Sequence, residues 1–289
     1  MPDENAGGAI TEPKLLGPFL GHVTTTSIRI WLHAERSEPI IYVTLHAHAY
    51  DPNTAPVATG TITLDASKLH CGWVTIGNLT PDTHYHYRLW TTPAHSVALD
   101  LGELLPRDLN FRTLSDNTDE QIDFLVLSCH NPTVSKADGQ DGHAVWADLP
   151  QIISSDSNKK VRLALLVGDQ VYADDWQEKI LAETTEAGRL KHYLSAYREF
   201  WRNIHYRRLL CSLPSVMMWD DHDIMDGWGS REDSFADESG AFKPEWQGLF
   251  DAASKAFGIM QASRNPDPLD HDPKQGFDFC FACRIWIFS

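Results

Sequence analysis

Apolar and polar residues alternate through the first third of the chain. From Gly17 onward the pattern is that of β-structure, with period two and many β-branched and aromatic residues. Residues 27–33 (SIRIWLH), 40–45 (IIYVTL), 59–64 (TGTITL) and 72–76 (GWVTI) each predict a strand. A further one is expected within 79–89 (LTPDTHYHYRL). Turns rich in Pro, Asp, Asn and Gly separate them, so residues 15–113 are expected to form an all-β sandwich. The pattern changes after a polar linker at 114–121. Residues 123–128 (DFLVLS), 161–167 (VRLALLV) and 215–219 (SVMMW) are short, nearly unbroken apolar runs, as in strands buried on both faces. Helical spacing lies between them, at 142–155 and at 186–204, where Leu190, Leu194, Tyr197 and Trp201 form one stripe. Strands alternating with helices predict an α/β layered domain from residue 122.

Composition adds bounds. The 289 residues suit about two domains. A formal net charge of -16 disfavours nonspecific nucleic-acid binding. No apolar run is long enough to predict a transmembrane helix, and the acidic N-terminus does not read as a secretory signal. Five scattered cysteines do not read as a disulfide framework. Together these predict a cytoplasmic chain without membrane partners.

The three apolar runs share one feature: each ends in residues able to bind a metal. The first ends Ser128-Cys129-His130-Asn131, the second Gly168-Asp169-Gln170-Val171-Tyr172-Ala173-Asp174, and the third Trp219-Asp220-Asp221-His222-Asp223. Ligands of α/β sheets bind at the carboxyl ends of strands. Three such ends at one edge would gather Cys129, Asp169, Tyr172 and Asp221 in one pocket. A thiolate and a phenolate suit a ferric ion, and carboxylates suit a harder second ion. Asp174, Asp175, Asp220 and Asp226 read first as helix and turn caps. The histidines at 46, 48, 84 and 86 have period two and read as polar residues of a sheet face rather than a metal site.

The segment 79–87 resembles the L-x-P-x-T-x-Y-x-Y signature of fibronectin type III-like domains, in which a tyrosine ties the strand to the backbone upstream. The segments at 168–174 and 219–223 resemble the signatures of the PhoD-like alkaline phosphatase D family, within the calcineurin-like metallophosphoesterase superfamily. That resemblance implies a multidomain α+β chain: a fibronectin III-like sandwich, then the first part of an α/β/β/α metallophosphoesterase domain at 122–289. It implies a metal-dependent phosphoric ester hydrolase acting on mono- or diesters by in-line attack of a metal-bound hydroxide. Two or more ions are implied, iron with calcium, with manganese or zinc as alternatives. By the family pattern Cys129, Asp169 and Tyr172 hold the iron, Asp169 bridges, Asp221 binds the second ion, and His222 assists the leaving group. Without a metal, His222 would instead read as a supporting residue hydrogen-bonded to Asp223 or Asp220.

The family pattern then stops early. Its late histidine motifs have no counterpart; the only histidine after His222 is His271, in a loop-like segment. The spacing of Cys280 and Cys283 carries no zinc or redox reading without a second pair. The chain therefore reads as a C-terminally truncated phosphatase. Two expectations compete: a working hydrolase, or a weak or inactive remnant that binds partners through its sandwich. A half-built sheet is also expected to leave an apolar face bare, open to pairing with another chain.

Overall fold

A computed structural model describes residues 15–131, 144–154, 161–230, 235–237, 239 and 241–267. The region of Cys280 and Cys283, and His271, lies outside the described residues.

The alternating segments form two antiparallel sheets. One has three strands in the order β1 (Leu15–Val23), β2 (Ile28–Ala34), β5 (Cys71–Ile76). The other runs β4 (Ala58–Thr63), β3 (Ile40–Ala47), β6 (His84–Trp90), β7 (Asn110–Arg112). Alternate residues such as Ile30, Leu32, Ile41, Val43, Leu45, Tyr87 and Leu89 meet in a shared apolar cluster between them. The expected tyrosine tie is present: the Tyr85 hydroxyl accepts the Thr80 amide at 2.8 Å. Strand β6 begins only at His84, because Pro81 and Asp82 (φ 48°) form the preceding turn. The short β7 escaped the period-two reading, since three residues carry little pattern.

The three apolar runs become β8 (Asp123–Leu127), β9 (Val161–Val167) and β10 (Ser215–Met218), a parallel sheet in the order β10-β9-β8. Helices α1 (Ala144–Ser154), α2 (Gln177–Ala182), α3 (Glu186–Trp201), α4 (Ile204–Leu210), α5 (Asp221–Ile224) and α6 (Pro244–Met260) accompany it. Thr185 starts α3 by accepting the Gly188 amide, and the expected stripe is buried, with Leu190, Leu194, Tyr197 and Trp201 all in the core.

Two-sided burial of these strands is not what the fold shows. One face, with Ala164, Leu166 and Met217, is fully buried. On the other, Phe124 is 47% exposed, Val126 55% and Met218 50%. A run of consecutive apolar residues supplies both faces of a strand, whichever of them is covered. Among the described residues the second face is covered only in part, since Leu163 and Val216 on it are buried while Phe124, Val126 and Met218 are open.

The sandwich is joined closely to the α/β layer. Phe19 and Trp31 share a cluster with Trp201, Tyr206 and Met260. Trp31 Nε1 donates to the Ile259 carbonyl at 3.1 Å, Tyr87 Oη to the Cys211 carbonyl at 2.7 Å, and Ser215 Oγ to the Leu20 carbonyl at 3.1 Å. Arg264, fully buried, lies over the rings of Phe19, Trp31 and Trp201. The sandwich is thus tied to the start of β10 through Ser215 and shares the core on the covered side of the parallel sheet. No described helix is long and apolar enough to cross a membrane.

Candidate metal centre

The parallel order brings the ends of β8, β9 and β10 to one edge of the sheet. After β9 the chain turns at Gly168, whose φ is +96°. A Cβ there would lie 2.5 Å from the Asp220 Cβ, so glycine is what lets the β9 and β10 loops touch. The next residue, Asp169, has φ 55°, and Cys129 after β8 has φ 59°. L-residues pay for this left-handed backbone, and such strain is characteristic of functional positions. Here it occurs at two residues that face each other: Cys129 Sγ donates to Asp169 Oδ2 at 3.4 Å.

Donor atoms of Asp169, Asp221 and His222 all lie within 4.8 Å of one another, the one such grouping among the described residues. Tyr172 stands beside them, its ring 4.2 Å from the His222 ring and 5.8 Å from Phe200. The five residues singled out in the sequence therefore converge. His222 lies with the acidic donors, closer than a purely peripheral role demands. The histidines of the β-sandwich form no comparable group among the described residues. His130, beside Cys129 in sequence, is a core residue: its ring stacks on Tyr206 at 4.3 Å and its Nε2 meets the Phe200 carbonyl at 2.8 Å.

The partner of His222 is neither Asp223 nor Asp220. Its Nδ1 lies 2.6 Å from Asp174 Oδ2, and the other oxygen of Asp174 accepts the Asp226 amide. Asp174 thus does more than cap a turn; the sequence concealed this because its partner lies 48 residues away. Asp223 faces inward instead and accepts the amides of Asp169 and Gln170 at 2.8 and 3.2 Å. Asp220 does act as a cap, accepting the Asp221 amide at 2.9 Å. Asp221 Oδ2 accepts the Gly227 amide at 2.6 Å, which orients its carboxylate.

The electrostatics fit a cation. Burial raises the Asp169 carboxyl, only partly offset by the Cys129 hydrogen bond and His222, while Asp220 and Asp221 push it further up. Burial also raises the Tyr172 phenol, followed by the negative charge of Asp169 and the neighbouring Cys129 sulfur. Burial lowers His222, but its hydrogen bond to Asp174 and the charges of Asp174, Asp169 and Asp221 outweigh this, leaving it raised. Anionic donors crowd one another in the absence of positive charge. Asp169 Oδ1 is buried without a hydrogen-bond partner among the described residues, as a ligand oxygen would be. Thiol, phenol, carboxylates and imidazole make a donor set suited to a transition metal beside a harder ion.

A sequence model of the PhoD-like phosphatase family matches residues 124–274, which take in all five site residues. The Saccharomyces cerevisiae uncharacterized protein YGR266W is 24% identical over 160 residues, covering 44% of this chain and 22% of the yeast protein. The solved structure of PhoD superimposes with a TM-score of 0.55 at 14% identity, over 90% of this chain and 47% of PhoD. At that identity the likeness concerns the fold. This chain spans less than half the length of either relative. The family match runs from β8 past α6 and covers more than half of the 289 residues, so the chain belongs to the PhoD-like phosphatase family.

Proposed function

We propose that this chain carries the strand-end half of a metal-dependent phosphoric ester hydrolase centre. The observation that carries the reading is the grouping of Asp169, Asp221 and His222 donors within 4.8 Å, with Cys129 and Tyr172 adjoining. Cys129, Asp169 and Tyr172 would hold one ion, of iron type, and Asp169 with Asp221 a second, calcium-like one. When bound, such ions neutralise phosphoryl oxygens and activate water. The protein's own part is then to hold the ester and manage a proton. Asp174 binds His222 Nδ1, which turns Nε2 away from Asp174. Held in this way, the ring would present Nε2 to the departing ester oxygen. The 15–113 sandwich, fibronectin III-like in its tyrosine tie, would serve as a scaffold joined at 114–121 to the phosphatase portion at 122–289.

The test is turnover of p-nitrophenyl phosphate and its bis-ester at alkaline pH by the purified chain with iron and calcium, beside elemental analysis. Metal-dependent turnover abolished by Asp169→Ala supports the reading. Absence of both turnover and stoichiometric metal overturns it for this chain.

One observation favours a second reading. The bare face carrying Phe124, Val126, Val167 and Met218 supports pairing with another chain through the uncovered sheet. Sedimentation of the wild type against Val126→Lys tests it; identical monomeric behaviour rejects it.

A further inference from the structure

We propose that Asp223 is a positioning residue: it sets the spacing of the β9 and β10 loops, and thereby of Asp169 and Asp221, without itself binding an ion. The inference rests on reading Asp169 and Asp221 as ligands. Asp223 is only 2% exposed. Its Oδ2 accepts the Asp169 amide at 2.8 Å and the Asp220 amide at 3.0 Å. Its Oδ1 accepts the Gln170 amide at 3.2 Å and Gln261 Nε2 at 2.8 Å. Each oxygen thus meets two donors, leaving little capacity for a metal.

The sources of those donors matter. A helix cap needs only the local amide, here that of Asp220. The other three come from the loop after β9 and from the residue following α6. One buried carboxylate therefore ties three separate segments together. Burying a carboxylate opposes its ionised form, and the N–H donors offset this only in part. The arrangement fixes the backbone of Asp169 in its left-handed conformation by holding its amide and the next one. It also fixes the start of α5, where Asp221 and His222 sit. Gly168 completes it by letting the two loops close on each other. The resulting distance between Asp169 and Asp221 is built into the protein before any ion arrives.

The test compares the full-length wild type with Asp223→Ala and Asp223→Asn. Amide hydrogen exchange is read on the metal-free protein, and Mn²⁺ binding by calorimetry. In Asp223→Ala, exchange in peptides containing residues 169, 170 and 220 is expected to quicken at least about tenfold, and Mn²⁺ affinity to fall about 10- to 100-fold. Asparagine keeps one acceptor oxygen. Gln261 can turn so that Oε1, which now lacks a partner, accepts from the new amide. Asp223→Asn should therefore expose chiefly the Gln170 amide and weaken Mn²⁺ binding less. Wild-type exchange and wild-type affinity in the variants overturn the proposal. If Asp223→Ala does not fold, Asp223→Asn decides by the same two readouts. If the wild type binds no Mn²⁺, the metal-site reading fails, while exchange on the metal-free chain still decides whether Asp223 holds the loops.

Discussion

His222 Nδ1 sits 2.6 Å from Asp174 Oδ2, so the short helix after β10 leans on the turn after β9. This contact fixes the ring's tautomer and aim, and its loss should be felt in chemistry more than in folding. Asp174→Ala is expected to reduce turnover of p-nitrophenyl phosphate about tenfold or more, since a positioned general acid contributes about 10²–10⁴-fold. Its circular dichroism should match that of the wild type. Unchanged turnover would remove Asp174 from the mechanism.

Cys129 combines a useful thiol with an unfavourable backbone, at φ 59°. Both Cys129→Ala and Cys129→Gly discard the thiol, but only glycine adopts this conformation freely. Cys129→Gly should be more stable to urea than Cys129→Ala by about 1 kcal/mol. Equal midpoints would mean the loop relaxes when the thiol is gone.

Tyr172 packs its ring against His222 and Phe200, and its hydroxyl hydrogen-bonds with Cys129. Phenolate bound to ferric iron absorbs visible light. Protein reconstituted with ferric iron should be coloured, and Tyr172→Phe should lose that band while keeping its thermal midpoint within a few degrees. A band that persists in the variant would place the iron elsewhere.

Outside the candidate centre, His33 predicts a pH dependence of stability. Its Nδ1 donates to the Leu69 carbonyl at 2.7 Å, and its Nε2 faces Arg198 Nη2 at 3.1 Å. Burial, then the Arg198 charge, lowers its pKa to about 4. The folded protein therefore keeps the ring neutral while the unfolded chain binds a proton below about 6.5. Its contribution is fully present above 6.5 and is lost as the pH falls towards 4. The full span amounts to about 3 kcal/mol. Urea titrations of His33→Gln should show a flatter dependence on pH across that window; an equally steep one would assign the loss to other groups.

Most of the candidate centre was legible because its residues follow local pattern breaks. Three apolar runs each stop at a polar cluster, and Cys129, Asp169, Tyr172, Asp221 and His222 all lie within a few residues of those stops. The period-two segments between 27 and 89 marked most of the antiparallel strands for the same reason. Less was visible where the pattern is short or a helix is apolar on more than one side. Helix α6 went unread, although Leu249, Ala253, Ala256 and Met260 are buried along it.

By itself the sequence determined the strand runs, the chemistry at their ends and the family, since each is written in neighbouring residues. Only the tertiary structure decided which acid serves which partner. Asp174 rather than Asp223 supports His222, and Asp223 turns inward to four N–H groups. Those choices depend on how far each strand projects beyond its neighbour and how closely Gly168 lets the loops approach. Which face of the parallel sheet is covered was settled in the same way, by the helix and sandwich residues that meet Ala164, Leu166 and Met217 in one core, because an apolar run fits either face equally well.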